Sequence, residues 1–127
     1  MNKRNFSINK QVKSFFPAFN GFISLLKSEH NARIQLFAFC IALIAAYILN
    51  ISRFEWIIII IVSGFVIAAE ALNTSIEKIC DFINPQTHPE IKIIKDVAAF
   101  AVLVSAVTAL ISGLLIFLPP IIGYINN

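Results

Sequence analysis

Glu70 and the polar residues that follow it have the types and the spacing to do chemistry. Asn73, Thr74, Glu77 and Asp81 stand at i+3, i+4, i+7 and i+11 from Glu70, which sets all five on one face of a helix. The stretch around Glu70, from Trp56 to Ile76, carries no other charge. A carboxylate within hydrocarbon costs roughly a few kcal/mol, so an acid there marks a functional site by default. Hard carboxylate oxygens at a membrane surface suit Mg2+, which takes one or two carboxylates plus the phosphates of a substrate. Glu29 and Glu77 are both expected at the inner interface and would share such an ion. Lys95, beside Asp96, offers a phosphate partner as a point charge. Glu70 lies deeper, where a lipid hydroxyl would reach it and give up its proton, and Asn73 would orient either group. A plainer alternative stays open for the outer acids. Glu77, Asp81 and Glu90 also fit ordinary solvated charges at an interface, and Glu29 with Arg33 an i,i+4 surface pair.

Such residues need membrane helices to position them, and the chain supplies three candidates. Of its 127 residues 58% are hydrophobic, and a mean hydropathy of +0.83 places it among integral membrane proteins and outside the soluble domains. Crossing a bilayer takes about 20 mainly apolar residues. The spans are expected at about 34–52, 56–76 and 97–118, the third stopping at Pro119-Pro120. One membrane-embedded domain over residues 1–127 is the simplest organisation, with an all-α fold.

Charge sets the orientation. Lys3, Arg4, Lys10, Lys13, Lys27 and Arg33 precede the first span, and Lys78, Lys92 and Lys95 lie between the second and third. Only Arg53 lies between the first two, and nothing basic follows the third. The positive-inside rule therefore places the N-terminus and second loop in the cytoplasm and the C-terminus outside. The net charge of +3 reads as a membrane-surface patch, with no case for nucleic acid as a partner. Six of the seven acids share the cytoplasmic half, and Glu55 alone lies outside. Trp56 fits the outer aromatic belt. From it to Glu70 is roughly 21 Å of helix, which leaves Glu70 about 9 Å short of the inner boundary of a ~30 Å hydrocarbon core. Cys40 and Cys80 suit neither a disulfide nor a metal cluster, and the first apolar run lacks the marks of a secretory signal.

Ahead of the first span, Val12, Phe15, Phe16, Phe19, Phe22, Ile23 and Leu26 form a helical stripe opposite Lys10, Lys13, Asn20, Ser24 and Lys27. This predicts an amphipathic surface helix over about 6–30, lying in the membrane interface or packed on the bundle, with a kink or late start at Pro17. Asn84-Pro85 ends the second span's helix. Thr87 to Glu90 reads as a capping box that starts the next, with Pro89 in its first turn and His88 as a loop residue. Ala98, Ala99, Ala101, Ser105, Ala106, Ala109, Ser112 and Gly113 then permit close helix contact. Neither a Walker-type phosphate loop nor a Gly-rich kinase loop is present.

Three segments carry a resemblance: EHNARI at 29–34, AEALNTSIEKICDF at 69–82 and KDVAAFAVLVSAV at 95–107. With them the chain resembles, from about Lys13 to Pro119, the prokaryotic diacylglycerol kinase family, small trispan lipid kinases that include the undecaprenol kinases. The resemblance implies a homotrimeric bundle in the bacterial cytoplasmic membrane, with composite active sites at subunit interfaces. It also implies the use of Mg-ATP to phosphorylate diacylglycerol or undecaprenol. By motif position Glu70 would be the general base, Glu29 and Glu77 the metal ligands, and Lys95 and Asp96 nucleotide contacts. Asn73 and Ala99 would line the lipid site, Lys10 stands where some members carry an arginine, and Gln86, Thr87 and His88 occupy a loop that touches ATP. Phe100 replaces a glycine common in the third motif, and the 30–33 and 95–99 segments are closer to the undecaprenol-using branch. A different class of function, a small proton-coupled exporter with Glu70 as relay, would leave Glu29, Asn73 and the Lys95-Asp96 pair idle.

Overall fold

A computed structural model describes residues 8–86 and 88–126, with side chains from Lys13 onward apart from that of Ser14. Four helices follow one another: α1 (Ile8–Ser28), α2 (His30–Ile48), α3 (Arg53–Ile83) and α4 (Pro89–Ile125). The last three are long and apolar enough to cross a membrane. At the helical rise α2 is about 28 Å long, close to a ~30 Å hydrocarbon core, whereas α3 at about 46 Å and α4 at about 56 Å must project beyond it.

The bundle is built with its large side chains outward. Phe37 is 68% exposed and Leu115 72%, as lipid-facing positions require, while the buried set includes Ala32, Ala46, Ala98, Thr74 and Ser105. Small interior residues let backbones approach closely where apolar burial gives no advantage over lipid. Ser105 satisfies its hydroxyl by donating to the Val102 carbonyl at 2.8 Å. α3 is the central element, packing chiefly on α4 and less extensively on α2. Phe100, in place of the expected small residue, points away from these contacts and is 61% exposed, so the substitution costs the bundle no packing.

The connections are tight. A single residue, Glu29, joins α1 to α2; its extended backbone (φ −112°, ψ 119°) breaks the helix while its N–H still donates to the Leu25 carbonyl at 2.9 Å. Pro17 lies within α1, whose helix is already formed at Ile8, so the late start at that proline does not occur. Between α2 and α3 the chain reverses at Asn50, the one described non-glycine residue with positive φ (49°), a conformation asparagine tolerates. Ser52 then starts α3 through a reciprocal capping box with Glu55. α3 ends at Ile83, before Asn84-Pro85 as expected.

Two boundaries differ from the sequence expectation. α4 is capped by His88, whose Nδ1 accepts from the Glu90 N–H at 3.3 Å, with Pro89 in the first turn. The capping box expected to begin at Thr87 is therefore replaced by a cap one residue later, and Thr87 itself lies outside the described residues. His88 is a helix cap and not a plain loop residue. At the far end α4 does not stop at Pro119-Pro120 but continues through both to Ile125. Proline removes a donor without removing an acceptor, and helices in lipid tolerate it because the alternative is more exposed backbone.

Candidate functional site

The polar face of α3 descends from a buried centre to an exposed end. Glu70 is 2% exposed and Thr74 is buried, Asn73 and Glu77 are half-buried, and Asp81 is exposed. The gradient follows from one helix leaving a packed bundle, since each step of three or four residues moves the side chain about 5 Å nearer the helix end.

Glu70 is met from α2. Gln35 Nε2 donates to Glu70 Oε2 at 2.8 Å, across a separation of 35 residues. A buried carboxylate needs such a donor, because an unpartnered one would carry its whole desolvation cost. Gln35 was not among the residues singled out from sequence. The signal that would have found it is its amide, a lone polar group in the first turns of an otherwise apolar span, at a depth matching Glu70.

One turn further along α3, Asn73 Nδ2 donates to Glu77 Oε1 at 3.1 Å. Asn73 is expected from sequence to orient Glu70 or the lipid hydroxyl; its amide is given to Glu77 instead. Glu77 has no partner for its second oxygen among the described residues. Three further buried atoms are left without a hydrogen-bond partner: Gln35 Oε1, Asn73 Oδ1 and Thr74 Oγ1. Each lies on a residue of this same region, and a buried unsatisfied polar atom costs about 1–3 kcal/mol. Buried groups of this kind normally find a partner, so these three ask for one beyond the described side chains.

The remaining residues gather around the lower end of α3. Glu29, half-buried at the α1–α2 joint, makes no cap bond with its side chain. Its neighbour Ser28 accepts from Lys78 Nζ at 3.4 Å, which brings that joint to the level of Glu77. Lys95 of α4 pairs with Asp81 at 2.7 Å, the one ion pair among the described residues, so the alternative pairing of Glu29 with Arg33 is not formed. The Asp81 carboxylate accepting its hydrogen bond holds the Lys95 ammonium above the ordinary lysine pKa, and Glu77 adds to the effect. Lys95 lies in the part of α4 that precedes the uncharged stretch from Val97.

Asp96 is exposed beside Lys95 and takes no part in that pair. Ala99 is exposed on α4, next to buried Ala98. In the α3–α4 connection the Gln86 N–H donates to Asn84 Oδ1 at 3.0 Å, and Gln86 is exposed. The side chain of Lys10 lies outside the described residues.

The donor set can be tested against a divalent ion. Among the described residues no three His, Cys, Asp or Glu side chains stand together. Mg2+ needs only one or two carboxylates, since it keeps water and substrate phosphates in most of its coordination positions. Glu77, fixed by Asn73 with an oxygen to spare, and Glu29, uncommitted at the same level, fit this need.

Comparison with known proteins completes the picture. The family model for prokaryotic diacylglycerol kinase matches residues 17–117. The undecaprenol kinase of Bacillus subtilis (strain 168) is 41% identical over 112 residues, covering 88% of this chain and 91% of that protein. A diacylglycerol kinase of Synechocystis sp. is 34% identical over 111 residues, 87% of this chain and 63% of its own length. A diacylglycerol kinase of Sinorhizobium sp. is 37% identical over 78 residues, 61% of this chain and 57% of its own length. The chain thus spans less than two thirds of either diacylglycerol kinase and nearly all of the undecaprenol kinase.

Proposed function

The chain belongs to the prokaryotic diacylglycerol kinase family and is a multi-pass membrane lipid kinase, and we propose that it transfers the γ-phosphoryl group of ATP to the hydroxyl of a membrane lipid alcohol, with Mg2+ as cofactor. The observation that carries this reading is Glu70, a carboxylate buried at 2% exposure in a membrane helix, held by Gln35 and followed by the Asn73–Glu77 pair. In the proposed reaction Glu70 takes the proton of the lipid hydroxyl as its oxygen bonds to the γ-phosphorus. The bond to the β-phosphate oxygen breaks, and ADP leaves. Gln35 fixes the carboxylate for that transfer. Glu29 and Glu77 hold the metal, whose contribution when bound is to neutralise phosphate charge. Lys95, Asp96, Gln86, Thr87, His88 and Lys10 are the proposed nucleotide contacts, and Asn73 and Ala99 line the lipid side. Phosphoryl transfer is chiefly positioning and charge neutralisation, so a carboxylate site at a membrane surface suffices without a Walker-type fold.

The proposal extends to assembly and placement. It takes the chain as one domain over residues 1–127, acting as a homotrimer in the bacterial cytoplasmic membrane. The N-terminus and active site face the cytoplasm, and α1 lies at the interface with Phe15, Phe16 and Phe19 toward lipid. All three phenylalanines are exposed along α1, which supports that placement. The relative matched over 91% of its own length acts, by its name, on undecaprenol, which favours that acceptor over diacylglycerol. The exporter reading draws no support from these relatives.

The test is purified protein in lipid nanodiscs with γ-labelled ATP, Mg2+ and each lipid alcohol offered alone. Label is expected in the lipid phase with undecaprenol, and label in neither lipid overturns the proposal.

A further inference from the structure

We infer that Asp81 is a positioning residue, which holds the Lys95 ammonium one helical turn beyond Glu77 and so keeps Glu77 open to a divalent ion. This rests on the lipid-kinase reading above. Asp81 stands four residues after Glu77 on the same face of α3, which sets their Cβ atoms about 5–6 Å apart. Lys95 reaches this face from α4, and its Nζ donates to Asp81 Oδ1 at 2.7 Å. Lys78, next to Glu77 in sequence, is engaged instead with Ser28 Oγ at 3.4 Å. Lys95 therefore has two carboxylates one turn apart to choose between. Its pKa records both, since the Asp81 hydrogen bond raises it most and the Glu77 charge adds to the rise.

The choice matters because the wrong one blocks the site. A flexible lysine stem spans the step from Asp81 to Glu77. Asp81 is exposed and Glu77 half-buried, so solvent screens an ion pair less at Glu77 and the ammonium would bind there more strongly. Asn73 Nδ2 already occupies Glu77 Oε1 at 3.1 Å, which leaves the other oxygen for the metal. An ammonium on that oxygen would set a positive charge where the ion is to bind, and the ion would have to displace it. Asp81 takes Lys95 first and removes the competitor. It leaves the ammonium one turn away, within reach of a phosphate. The pair lies largely in solvent, with the Asp81 side chain 64% exposed, and such pairs stabilise a fold little. Its consequence lies at Glu77.

The experiment titrates Mn2+ into the full chain in nanodiscs with ADP present, read by electron paramagnetic resonance, which needs no turnover. The Mg2+ dependence of label transfer is measured beside it. Asp81→Asn is expected to weaken Mn2+ binding roughly ten-fold and to raise the Mg2+ concentration for half-maximal rate by as much, with the rate recovered at high Mg2+. Asp81→Glu keeps the charge and is expected to bind Mn2+ like the wild type. Adding Lys95→Met to Asp81→Asn removes the competitor, so Mn2+ binding is expected to return although label transfer does not. Overlapping Mn2+ curves for the wild type and Asp81→Asn overturn the inference, as does a double variant that binds no better than Asp81→Asn. An Asp81→Glu as weak as Asp81→Asn, or a wild type that binds no Mn2+, overturns it too. Label in neither lipid with the wild type overturns the kinase reading itself, while the Mn2+ curves still decide the role of Asp81.

Discussion

The two ends of the helix bundle use acids in opposite ways. At the α2–α3 hairpin, the Glu55 carboxylate accepts from the Ser52 N–H at 2.7 Å while the Glu55 N–H donates to Ser52 Oγ at 3.3 Å. The Ser52 hydroxyl first, and the Ser52 N–H second, hold the Glu55 carboxyl below the ordinary glutamate value. That acid is spent on starting a helix. At the other end Glu29 has no cap bond, Glu77 has one oxygen without a partner among the described residues, and buried atoms of Gln35, Asn73 and Thr74 have no partner. The same residue type is satisfied where it builds the fold and left with spare capacity where the lower half of α3 meets α2. Spare hydrogen-bonding capacity, kept where it is costly, distinguishes a site from a scaffold.

The contrast can be broken most sharply at Glu70. Glu70→Gln keeps the size and removes the proton acceptor, so phosphoryl transfer is expected to fall roughly 10²–10⁴-fold while circular dichroism shows the helices intact. Retention of wild-type rates would remove Glu70 from the chemistry. Next in size are the metal side chains. Glu77→Gln and Glu29→Gln are each expected to raise the Mg2+ concentration for half-maximal rate, and Asn73→Ala, which frees Glu77 to wander, to do so by about 10–100-fold. A Mg2+ titration checks all three, and overlapping curves would end the assignment.

The hairpin end supplies the opposite result. Ser52→Ala removes the cap and is expected to lower the thermal midpoint by roughly 2–8 °C with no change in the rate per folded molecule. Because the Glu55 carboxyl sits below its ordinary value of 4.5, its contribution to stability is complete above that pH and is lost as pH falls through the lowered value. A melting series against pH in the variant should show a smaller acid-side loss, because the backbone N–H of residue 52 still reaches the Glu55 carboxylate. The smallest change in stability is expected of Asp81→Asn. The Lys95–Asp81 pair is exposed, so the thermal midpoint should move by less than about 2 °C, and the change to look for is a lowered Lys95 pKa by NMR.

Much of the architecture was legible because membranes make sequence literal. Three apolar stretches gave three helices, and the i, i+3, i+4, i+7 spacing from Glu70 gave a polar face that the structure shows descending from buried to exposed. What stayed hidden depended on partners far away in sequence or on close competition. Gln35 acquires meaning only beside Glu70, a contact no local pattern encodes. His88 and Thr87 compete for one helix start, and spacing alone cannot say which ring or hydroxyl reaches the free N–H. Pro119-Pro120 looked like a stop because proline ends helices in water, where backbone released from a helix finds solvent.

The most direct measurement sets the two ends against each other: label transfer from ATP to undecaprenol by Glu70→Gln and Glu55→Gln, in the same nanodiscs at equal folded concentration. The account predicts a gap of at least about a hundred-fold, with Glu55→Gln near wild type. Equal rates in the two variants would contradict it.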